Sequence, residues 1–213
     1  MNGSTRSASR TRFLRIRALL VGGLVLGVGA AVTMASWVDN EVATGAFGAS
    51  IFNTVSSSQG SASDHHTTAP GAALTFNAAA MSPGTSGYAW LNVQTTPQTN
   101  VTGSLNLSGQ TFSNTSAVAL SPYLQYRIVL LPNATATCAA ASFAGTPSWV
   151  TPATGAYTVA TAALPASVSV PLSTAGTTVQ RLCVEVQLQP LTPNDRQGQT
   201  ATLQWTFTAT SSS

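Results

Sequence analysis

The chain has 213 residues, 44% of them apolar, with seven Phe, four Trp and four Tyr, which suffices for the core of one domain and excludes a disordered chain. Only 6% are charged, against roughly a quarter in ordinary soluble domains, and every basic residue is Arg. The formal charge of +3 comes from Arg6, Arg10, Arg12, Arg15 and Arg17; from residue 36 onward three Arg face five carboxylates, a net of −2, so the body lacks the clustered cations that nucleic-acid binding needs.

The Arg-rich start runs into ALLVGGLVLGVGAAVTMA, residues 18 to 35, and then into a polar chain from Ser36. A basic stretch, an apolar stretch and small residues before a cut are the parts of a secretory signal, here residues 1 to 35, with Thr33 and Ala35 at the −3 and −1 positions and cleavage between Ala35 and Ser36. Signal peptidase is then a partner during export, and the membrane is touched only through the uncleaved segment. Export favours pairing of Cys138 with Cys183, the only two thiols.

Residues 36 to 53 form an apolar, strand-like segment containing Trp37, Phe47, Ile51 and Phe52. Residues 54 to 71, TVSSSQGSASDHHTTAPG, show no apolar period and read as a flexible linker. The main domain, 72 to 210, then shows short β-branched and aromatic runs broken by Pro, Gly, Asn and Ser, with a polar tail at 211 to 213. Strands are expected at 74–78, 87–95, 101–108, 123–131, 157–162, 167–172, 180–189 and 200–209. In the last, Ala201, Leu203, Trp205 and Phe207 share one face. In 180–189, Leu182, Val184, Val186 and Leu188 share one face, which puts Cys183 on the polar face; Cys138 must then reach it from a segment folded over that face or from a neighbouring edge, so the bond is expected to pin the 133 to 156 region to the sheet. The fold class is all-β: a two-sheet β-sandwich of jelly-roll or immunoglobulin-like character, preceded by a signal helix and a linker.

Catalytic patterns are weak. Asp64, His65 and His66 would need further ligands to hold zinc. No H-E-x-x-H or G-x-S-x-G motif occurs, and the five acids are too scattered for a glycosidase pair. The expectation is a protein without catalytic residues, metal or cofactor.

Three stretches carry a family resemblance: the Gly/Ala-rich signal running into ASWVDNEVATGAFGASIFN, the segment LTFNAAAMSPGTSGYAWLNVQ, and QRLCVEVQLQ with GQTATLQWTFTATSSS. Together they resemble the secreted proteins with a SipW-dependent signal peptide, the TasA and camelysin group, in its actinobacterial branch. That resemblance implies a β-sandwich exported through a dedicated signal peptidase, a Cys in the closing strands paired with one upstream, and assembly into extracellular biofilm-matrix fibres. Some relatives bear a metalloendopeptidase label, which the residues here do not match. The expected function is therefore a secreted, non-enzymatic structural or cell-surface protein able to self-assemble by strand addition through Trp37 to Phe52. The alternatives are an adhesin or carbohydrate-binding module using Trp90 or Trp149 and, more remotely, an extracellular hydrolase.

Overall fold

The computed structural model describes residues 13–20, 48–69, 71–76 and 80–212. The chain divides into two units, Met1–Phe47 and Gly48–Ser213. In the first, residues 13–20 are helical and expose Phe13, Leu14, Ile16, Leu19 and Leu20. No helix among the described residues is long and apolar enough to cross a membrane.

The second unit is an all-β sandwich of two antiparallel sheets. Its strands are β1 (Thr54–Ser58), β2 (Ser61–Asp64), β3 (Ser86–Thr95), β4 (Gly103–Asn114), β5 (Leu124–Leu131), β6 (Ser148–Thr151), β7 (Thr158–Val159), β8 (Val170–Leu172), β9 (Gln180–Leu188) and β10 (Ala201–Ser211). The larger sheet runs β2-β1-β3-β9-β5-β6, with β7 also on β5; the smaller runs β10-β4-β8.

Alternation decides the faces. Leu91 and Val93 of β3, Tyr126 and Ile128 of β5, and Leu182, Val184, Val186 and Leu188 of β9 turn inward. They meet Leu105 and Leu107 of β4 and Val170 and Leu172 of β8. Leu203, Trp205 and Phe207 of β10 pack against the same core from its side, as their period of two predicts.

Two expectations are corrected. The proposed linker 54–71 contains a hairpin, because β1 pairs with β3 from Thr54↔Thr95 to Ser58↔Leu91 and β2 pairs back on β1. Strand pairing is made by the backbone, so a Ser-rich segment can enter a sheet without any apolar period of its own. The domain accordingly begins at Gly48 and not at residue 72, and its last strand reaches Ser211. Of the expected strand 74–78, residues 74–76 belong to no strand, with Leu74 and Phe76 packed on the core, and the rest lies outside the described residues. Strand β6 was not foreseen.

Candidate functional site

The outer face of the larger sheet is the place where charged and aromatic side chains converge. Cross-strand register sets them in rows: Tyr88, Glu185 and Arg127 lie side by side on β3, β9 and β5, and Trp90, Cys183 and Val129 form the next row. A third row holds Asn92, Arg181 and Leu131. The segment between β5 and β7 folds over these rows and makes a roof from Cys138, Phe143, Trp149 and Tyr157.

Cys138 and Cys183 are joined by a disulfide with their Cα atoms 5.3 Å apart, which ties the roof to the centre of the sheet. Of the two routes open to Cys138, a segment folded over the polar face and a neighbouring edge, the structure takes the first. Around the bond Val129, Leu131, Phe143 and Cys183 are buried, with Tyr88, Ala136 and Trp149 packed against them, so the nominally polar face carries a second apolar cluster. Gly155 permits the closure: it adopts φ +75°, and a Cβ there would stand 2.5 Å from the Trp149 ring.

Beside the disulfide, Glu185 is only 3% exposed and receives the Arg127 Nε at 2.6 Å. Its other oxygen accepts the Tyr157 hydroxyl at 2.8 Å and the Tyr88 hydroxyl at 3.3 Å. The Arg127 guanidinium lies 4.4 Å from the Tyr157 ring centre, 5.1 Å from Phe143 and 5.4 Å from Trp149. The carboxylate offsets the buried cation and the ring faces add cation–π attraction. Burial pushes the Tyr157 hydroxyl up to about 12, and its hydrogen bond to Glu185 acts in the same direction. Tyr88 is raised as well, first by burial and then by the charge of Glu185. Chemically this is a set of groups that satisfy one another by an ion pair and hydrogen bonds.

A second cation, Arg181, stacks 4.3 Å above the Trp90 ring and donates to Asn92 Oδ1 at 2.8 Å and to the Ala136 carbonyl at 3.0 Å. Burial lowers its pKa. Next to it a hollow of about 150 Å³ is lined by Ser57, Ser63, Asn92 and Gln94 among others.

The other sequence-predicted residues are not brought to this face. Ala35, Ser36, Trp37 and Phe47 lie outside the described residues. Ile51 and Phe52 are anchored to their own domain. Ile51 N–H donates to Asn100 Oδ1 at 2.8 Å, Asn100 N–H returns a bond to the Ile51 carbonyl at 3.1 Å, and Phe52 packs against the core. Gly103 makes room for that ring, since a Cβ there would be 2.5 Å from it. Asp64, His65 and His66 sit at and beyond the end of β2, with His66 Nδ1 3.0 Å from Ser56 Oγ, and no group of three metal-ligating side chains occurs among the described residues. Arg127, Tyr88 and Tyr157 were missed from sequence. The available signal was two opposite charges, Arg127 and Glu185, each near the middle of a predicted strand in a chain with few charges.

The fold and this face together define the class: an all-β two-sheet sandwich whose outer face is closed by a disulfide-clamped roof. Comparison of the chain with known protein families gives no match, and no curated protein matches it.

Proposed function

We propose that this is a secreted, non-enzymatic structural or cell-surface protein, an extracellular-matrix component of the kind that the TasA and camelysin resemblance implies. The observation that carries the reading is the closed face, where Arg127, Glu185, Tyr88 and Tyr157 are paired with one another beneath a disulfide. Groups paired in this way hold the roof to the sheet, which supports a scaffold role. The disulfide also fits an oxidising compartment.

Assembly by strand addition belongs to the same proposal, with the donor shortened. Ile51 and Phe52 are bonded and packed within their own domain, so donation falls to residues 36 to 47. The test is electron microscopy and sedimentation of the oxidised chain starting at Ser36, compared with one starting at Gly48. Fibres from the longer form only are expected; equal assembly by both removes the segment as donor, and monodisperse monomers from both overturn the matrix reading.

The carbohydrate-binding alternative would use the hollow beside Arg181, lined by Ser57, Ser63, Asn92 and Gln94 together with Val55, Ala134 and Val179. Retention on a glycan array that is lost in Asn92→Ala would favour it over the matrix reading. Trp149 contributes little to that alternative, since its ring is packed on Gly155 and lies 6.2 Å from Phe143 within the roof.

A further inference from the structure

The edges of the two sheets are treated unequally. Natural β proteins protect edge strands by making them short, charged or proline-bearing. Here β2 has four residues and ends in Asp64, β6 has four residues and is followed by Pro152, and β8 has three residues with Pro171 at its centre. The last terminal strand of the larger sheet, β7, has two residues, and β8 covers only Gly103 to Leu105 of β4. Among the terminal strands β10 is the longest, with eleven residues, ATLQWTFTATS, and it has neither a charge nor a proline.

The hydrogen bonds show which groups β10 leaves open. Thr115 N–H donates to the Thr200 carbonyl and Ser212 N–H donates to the Thr102 carbonyl, at the two ends of the β10–β4 ladder. The one irregularity of that ladder, between Thr206 and Phe207, places the extra residue, Ser108, on β4. Even-numbered residues of β10 therefore turn their N–H and C=O toward β4. Ala201, Leu203, Trp205, Phe207 and Ala209 turn theirs off the edge. Among the described residues no strand pairs with that edge and no backbone hydrogen bond reaches it.

The same odd-numbered residues carry the inward side chains. Leu203, Trp205 and Phe207 are only half-buried, whereas the equivalent Leu105 and Leu107 on β4 are 3% and 4% exposed. The apolar layer thus continues to the rim of the smaller sheet and stops without a neighbour.

We propose that β10 is the interface of a homodimer, in which the free edges of two copies pair antiparallel about a twofold axis at Trp205. In that register Trp205 faces its own copy, Leu203 faces Phe207 and Ala201 faces Ala209. Every pair is odd with odd, so each exchanges both backbone hydrogen bonds and sets apolar against apolar on the core side. On the outer side Thr202 faces Thr208 and Gln204 faces Thr206, uncharged against uncharged. A second copy fits this edge because the strand complements itself in this register, and the contact closes as a twofold pair. The proposal is independent of the N-terminal donor segment.

The experiment is sedimentation velocity of the oxidised full chain across a concentration series, with variants that leave the β4 ladder intact. Ala209→Pro removes an N–H that points off the edge, and Thr202→Lys with Thr208→Lys sets Lys against Lys in the dimer alone. The wild type is expected to dimerise. Ala209→Pro should abolish dimers, and the Lys pair should weaken them by about tenfold or more, with thermal unfolding confirming that each variant is folded. Mixing the Lys pair with Thr202→Glu/Thr208→Glu should restore a heterodimer. A wild type that stays monomeric throughout, or folded variants that associate as well as the wild type, would overturn the proposal.

Discussion

Glu185 shows what one side chain costs and returns in this fold. It sits at the centre of β9 under the roof, and its charge is tolerated because Arg127, Tyr88 and Tyr157 all point at it. Removing one partner strands the other. Glu185→Leu should destabilise the protein by about 3 kcal/mol, the low end for a broken buried pair because Arg127 keeps 20% of its exposure. Adding Arg127→Met should recover most of that loss, and urea denaturation of the wild type and the two variants decides it. The tyrosines give a second prediction. Tyr126, buried in the core, and Tyr157 are both pushed up to about 12, by burial first. The folded state therefore keeps protons that the unfolded chain releases from about pH 10. Stability from these groups is complete below pH 10 and is lost as pH rises toward 12. Tyr126→Phe and Tyr157→Phe should each flatten that alkaline loss, as read by unfolding midpoints through this range.

At the scale of elements, the roof between β5 and β7 is attached by a covalent bond, the hydrogen bond of the Tyr157 hydroxyl to Glu185 and aromatic packing. The disulfide spans a sequence separation of 45, and Cys138→Ser should lower stability by about 2–5 kcal/mol. The loss should be local first. Amide exchange should rise in residues 133–157, while β9 and β4 stay protected until global unfolding. Gly155→Ala is expected to loosen the same roof with the disulfide intact, because φ +75° is strained for Ala and the added methyl meets the Trp149 ring. Exchange that rises uniformly across the sandwich in Cys138→Ser would show the roof to be no separate unit.

At the scale of the whole molecule, the proposed export makes a prediction about the N-terminus. The basic start, the apolar run and the small residues at Thr33 and Ala35 predict that N-terminal sequencing of exported material begins at Ser36 or Trp37. Recovery of the intact chain from the membrane fraction would refute cleavage. If cleavage occurs, the exported chain consists of a short apolar segment ahead of a sandwich that begins at Gly48. The segment and the β10 edge then offer two separate routes to association, one through a strand that is donated and one through a strand already in place.

Much of the sandwich was legible in the sequence. The period of two in QRLCVEVQLQ and TATLQWTFTA places Leu182 and Trp205 inward, because a strand with one buried face must keep its apolar residues in phase. Two lone cysteines behind a stretch that reads as an export signal were enough to expect their bond. Alternation says which face a residue takes, but it is silent about what covers that face. Only the tertiary structure could turn the polar side of β9 into a buried site, since Phe143 and Trp149 arrive from a distant segment. It alone could also recruit the Ser-rich hairpin of β1 and β2 into the sheet, since that pairing is made by backbone groups that every sequence carries. The open edge of β10 is decided in the same way, by which strands the fold places beside it and which side it leaves bare.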